Sequence, residues 1–134
     1  MRTLLALVVA VAALLGVGCD LLGTSSADAV KVQLNEWAIT ADPITAPAGV
    51  VTFDVQNSGK RKHDFAVLLA GEQEGDRYTV VGEIKGIEPE DTKSLTVTLE
   101  RGTDYELASL RVAIEGGELV SDYDQGMQLV FAVE

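Results

Sequence analysis

The chain has 134 residues, 21 of them acidic and 10 basic, for a net charge of −11. That balance repels phosphate backbones and excludes a nucleic-acid-binding role. A single cysteine excludes an internal disulfide, so one core must hold the fold by burial.

In chain order, Arg2 precedes an apolar run from Thr3 to Val17. Its length suits the hydrophobic region of an export signal and falls short of a membrane span. Leu15-Gly-Val-Gly-Cys19 resembles a bacterial lipoprotein processing site, where the cysteine is acylated and becomes the new N-terminus. The alternative is an ordinary signal peptide cut at Ala27-Asp28-Ala29, with Cys19 incidental. The first reading divides the chain into a signal (1–18), a lipidated Cys19 with a short tether (19–28), and a folded domain (29–134). It predicts an extracytoplasmic protein held on a bacterial membrane by its acyl chains, each buried CH₂ contributing ~0.8 kcal/mol.

From Ala29 onward the apolar residues recur with period two. Val51, Phe53 and Val55 form one row, and Phe65, Val67 and Leu69 a second. Leu95, Val97 and Leu99 form a third, and Met127, Leu129, Phe131 and Val133 the last. This alternation predicts strands with one buried and one wet face. Turn residues separate the rows: Pro47-Ala-Gly49, Asn57-Ser-Gly59, Gly71, Gly86, Arg101-Gly102 and Gly116-Gly117. Short strands with regular turns indicate an all-β antiparallel sandwich. No stretch after the signal carries a helical stripe, and Glu88-Pro-Glu-Asp-Thr92 reads as a connection between strands.

Three stretches together resemble a cupredoxin, the Greek-key sandwich of blue copper proteins. They are Ile44 to Gly59 with its Pro-Ala-Gly and Asn-Ser-Gly, the triplet His63-Asp-Phe65, and Leu99-Glu-Arg-Gly-Thr-Asp-Tyr-Glu-Leu107 followed by Gly126-Met127. The resemblance implies copper ligands at four positions: His63, Ser109 where the family has cysteine, Asp122 where it has a second histidine, and Met127. His63 is the only histidine and the only thiol is Cys19, so a blue copper centre is not expected. His63 and Met127 with Asp122 or Asp124 leave weak copper or zinc binding open. Otherwise His63 hydrogen-bonds nearby backbone and Met127 is core. No cofactor is expected beyond that open copper question.

Lys60-Arg-Lys62 is a basic cluster in an acidic chain, either a solvated turn or a docking patch for an acidic partner. Trp37 is expected to be a partly buried core aromatic. No nucleophile elbow, phosphate loop, H-E-x-x-H or C-x-x-C is present, so catalysis is not expected. The sequence therefore points to a lipid-anchored cupredoxin-like module that binds an unknown protein partner. The alternative is a copper-binding or electron-transfer protein with an altered site.

Overall fold

The computed structural model describes residues 29–74 and 77–134. The signal, Cys19 and the tether lie outside them. Two sheets face each other. The first has the order β2 (Ala38–Asp42), β1 (Val30–Asn35), β4 (Gly49–Asn57), β7 (Thr92–Leu99). The second has the order β3 (Thr45–Ala46), β11 (Gln128–Val133), β8 (Tyr105–Ala108), β5 (His63–Glu74), β6 (Arg77–Ile87). A separate hairpin of β9 (Val112–Glu115) and β10 (Glu118–Ser121) precedes a one-turn helix, α1 (Asp122–Gln125).

Period-two burial builds the interior. β1 turns Val30, Val32 and Leu34 inward and Lys31 and Gln33 outward. β4 does the same with Val51, Phe53 and Val55. Val97 and Leu99 of β7 add to this face, and Phe65, Val67, Leu107 and Phe131 complete the core from the facing sheet. The Phe53 ring stands 5.6 Å from that of Phe65 and 5.3 Å from that of Phe131, in tilted and edge-on contacts. Every apolar row foreseen in the sequence contributes to this cluster.

Two features depart from the expected pattern. β1 pairs with β4, and β11 with β3, in parallel. The chain leaves the first sheet for β3 before returning as β4, and a crossover of this kind delivers parallel neighbours where a hairpin cannot. Ala66 and Leu68, on the outer face of β5, are buried as well. Ala108, Tyr78, Leu110 and Tyr123 cover them, forming a small second cluster beneath the hairpin.

α1 adds a single helical turn, too short to leave a stripe in the sequence. It is capped by Ser121, whose Oγ accepts from the Asp124 N–H at 3.3 Å, and closed by Gly126 at φ 121°. β1 and β4 end, and β5 begins, at one end of the sandwich. Ala29 enters seven residues before Glu36, a strand length of ~23 Å away.

Candidate functional site

Asn57, at the end of β4, is fully buried and sets the loop that follows. Its side-chain amide donates to the carbonyls of Arg61 (2.7 Å) and Ile87 (2.8 Å), and its Oδ1 accepts from Gly59 N–H (3.0 Å). These bonds fold residues 58–62 back over the β1–β2 turn. A Cβ at Gly59 would overlap the Glu36 carboxylate, which would have to shift from its present place. Glu36 in turn accepts the backbone N–H groups of Lys60 (3.0 Å) and Arg61 (2.9 Å).

His63 opens β5 directly beneath this loop and is fully buried. Its Nε2 is 2.8 Å from Glu36 Oε1, and its Nδ1 is 2.8 Å from Asp122 Oδ2. The same Asp122 oxygen accepts from Ser109 Oγ–H at 2.7 Å, and Ser109 Oγ accepts from Asp64 N–H at 3.0 Å. Backbone bonds close the circuit, from Met127 N–H to the Asp122 carbonyl and from Ser109 N–H to the Met127 carbonyl, both 3.1 Å. The four positions implied by the family resemblance thus converge at one end of the fold. Three meet through their side chains. Met127 joins through its backbone, and its side chain belongs to the hydrophobic core.

The charge state of this network follows from donor counting. Ionised carboxylates only accept, and a neutral imidazole has a single N–H. A carboxylate at each ring nitrogen therefore calls for a doubly protonated His63. Burial opposes that charge, but the bonds to Asp122 and Glu36 outweigh it and hold His63 above the usual imidazole range. Glu36 is pushed up by burial. The Lys60 N–H, His63 and the Arg61 N–H prevail and hold it below the usual carboxylate range.

Glu36 was not foreseen. It lies in a turn 27 residues before His63, and no motif marks it. The one trace in the sequence is Gly59, whose missing side chain makes room for it. Trp37 is half-buried against the core, as expected. Its ring stands edge-on to His63 at 6.2 Å, and the Arg61 guanidinium lies 4.8 Å from its centroid.

The basic cluster is engaged within the chain. Arg61 ion-pairs with Glu115 on the hairpin, and that bond raises its pKa above the ordinary value. Lys62 pairs with Glu88 at 2.7 Å. Lys60 contributes its backbone N–H to Glu36. Arg61 and Lys62 are thus each neutralised by a carboxylate partner.

A serine, a histidine and an aspartate meet here, but not in catalytic order. Ser109 donates to Asp122 rather than to His63, and all three are buried. A nucleophile needs its base as hydrogen-bond partner and an open path to substrate. Among the described residues, no group of three or more His, Cys, Asp or Glu is arranged to hold a metal ion.

Two facing sheets in this strand order, with the site at the end where β5 begins, form a cupredoxin-like sandwich. Comparison with solved structures places the chain beside the auracyanins. It resembles dithionite-reduced auracyanin from the photosynthetic bacterium Roseiflexus castenholzii, with a TM-score of 0.62 and 16% identity over 80% of this chain and 97% of that one. It also resembles auracyanin A, a "blue" copper protein from the green thermophilic photosynthetic bacterium Chloroflexus aurantiacus, with a TM-score of 0.59 and 16% identity over 79% and 98%. Auracyanin B matches with a TM-score of 0.58 and 16% identity over 79% and 88%. At this identity the likeness defines the fold. No protein-family model and no curated protein matches the sequence. Among the described residues, no helix is long and apolar enough to cross a membrane.

Proposed function

We propose that this protein is an extracytoplasmic cupredoxin-like module, lipid-anchored through Cys19, that lacks a complete type 1 copper site and acts by binding a protein partner. The observation that carries this reading is the pairing of both His63 nitrogens with carboxylate oxygens at 2.8 Å. A copper ligand needs a free nitrogen lone pair, and the imidazolium has none. Asp122 Oδ2 is in hydrogen-bond contact with both His63 and Ser109, so these side chains enclose one another rather than an ion. No buried side-chain nitrogen or oxygen among the described residues lacks a partner, so none calls for a metal. The residues present do not fit a type 1 ion, which also requires a thiolate and a second imidazole.

The copper-binding alternative draws on the fold likeness and on the convergence of His63, Ser109, Asp122 and Met127. It requires Asp122 to leave Nδ1. Titration of the purified mature protein with Cu(I) and Cu(II) separates the two readings. The expected result is no saturable binding and no visible charge-transfer band. Stoichiometric binding lost in His63→Ala and Met127→Ala, both shown to be folded, would establish the alternative. Mass spectrometry of protein extracted from membranes tests the anchor, with an acylated N-terminal Cys19 as the expected species.

A further inference from the structure

The β9–β10 hairpin stands out from the sandwich, and among the described residues its strands pair only with each other. A lone two-stranded hairpin is marginal in water. This one also shows its apolar side chains to solvent. Ile114 sits opposite Leu119, and Val112, two residues before Ile114, lies on the same face. Their exposures are 74%, 75% and 56%. At the base of that face is a groove of about 480 Å³, lined by Leu110, Val112, Leu119, Tyr78, Tyr123 and Asp124.

The groove is bordered by acids. Asp124 lines it, and Glu106 bonds the Tyr123 hydroxyl. Among the described residues, Arg61 is engaged by Glu115 and Arg111 by Asp64 at 4.0 Å. A second copy of the chain would bring the same acids face to face, at a like-charge cost. The chain enters the domain at Ala29, at the opposite end of β1 from Glu36.

We propose that this hairpin face and groove form the docking surface for a protein that inserts an apolar side chain flanked by lysine or arginine. The inference rests on the interaction-module reading and gives its partner a chemistry. Apolar anchors supply affinity in such surfaces, and complementary charge supplies orientation and rate.

The test is photo-cross-linking in intact cells of the source organism, with a benzophenone side chain placed at position 114 or 119. It is followed by binding of the captured protein to the purified mature chain. The expected contact peptide carries an apolar residue with neighbouring Lys or Arg. Affinity is expected to fall with added salt, and about tenfold or more in Ile114→Glu with Leu119→Glu. Both positions are solvent-facing, so the Tm of that variant should stay near wild type. Cross-links to a second copy with a dimer in sedimentation, to lipid alone, or to an acidic contact surface each overturn the proposal. Cross-links from position 60 with none from 114 or 119 overturn this surface and leave the interaction reading standing. Stoichiometric copper binding in the titration above removes that reading instead.

Discussion

Asp122 Oδ2 lies 2.8 Å from His63 Nδ1 and 2.7 Å from Ser109 Oγ, so one carboxylate oxygen joins the starts of β5 and α1 to the end of β8. Charge-assisted bonds of this length in a buried setting are worth more than surface pairs, provided both partners keep their charge. Removing one partner leaves the other buried and unmatched. Asp122→Asn keeps the shape and deletes the charge. The expected loss is about 3 kcal/mol, with a fall in Tm of at least ~10 °C. Glu36→Gln should cost less, roughly 1 kcal/mol, because the Glu36 carboxylate is partly solvated. Chemical denaturation of both variants checks the order, and a larger loss at Glu36 contradicts it.

Stability should depend on pH through two groups of opposite sign. The folded-state pKa of His63 is raised above 6.5, so its contribution is full below that value and is lost as pH rises through the folded pKa. The folded-state pKa of Glu36 is lowered below 4.5, so its contribution is present above that value and is lost as pH falls through the folded pKa. Stability from this pair is therefore greatest between about pH 4.5 and 6.5. Melting curves across pH 3–9 are expected to show this window. The alkaline limb should flatten in His63→Gln. NMR of the wild type at pH 6 should show protons on both ring nitrogens, and a neutral ring at that pH would contradict the network.

The loop that covers His63 depends on a missing side chain. Gly59→Ala would push a methyl group into the Glu36 carboxylate, which can swing aside only by loosening its bonds to Lys60, Arg61 and His63, at a cost of about 1 kcal/mol. The effect should shrink in a Glu36→Ala background, where the clashing group is gone. A double-mutant cycle on denaturation free energies measures this coupling. Additive losses would place the cause elsewhere.

The sandwich was legible because burial repeats every second residue, as in Val51, Phe53 and Val55. The ligand-equivalent positions were legible because the turn and strand signatures around them fix their place along the chain. What they do together was not. Glu36 enters through a tertiary contact that no local pattern records, and its bond helps hold the His63 pKa above the usual imidazole range. α1 spans four residues, too few for a helical stripe, yet Ser121, Asp122, Asp124 and Gly126 spell its capping. The hairpin face escaped notice because Val112, Ile114 and Leu119 alternate like any strand while nothing covers them. The Lys60-Arg-Lys62 cluster looked isolated in sequence, but Glu115 and Glu88 approach it only in the fold.

If Ser109 and Asp122 are what separates this site from a blue copper centre, Ser109→Cys together with Asp122→His should build one. Ser109→Cys supplies a thiolate on β8, and Asp122→His supplies the second imidazole while removing the carboxylate that holds a proton on Nδ1. His63 then presents a free Nδ1 and can still bond Glu36 through Nε2, as metal-binding histidines commonly bond a carboxylate with the second nitrogen. Met127 is already buried at the same end. The double variant should bind Cu(II) at one equivalent, with intense visible absorption and the narrow hyperfine splitting of a copper–thiolate site. Ser109→Cys alone should not, because Asp122 still occupies Nδ1. Asp122→His alone should bind at most weakly and without colour, for lack of sulfur. A folded double variant that stays colourless under saturating Cu(II) would show that more than these two residues separates this site from a blue copper centre.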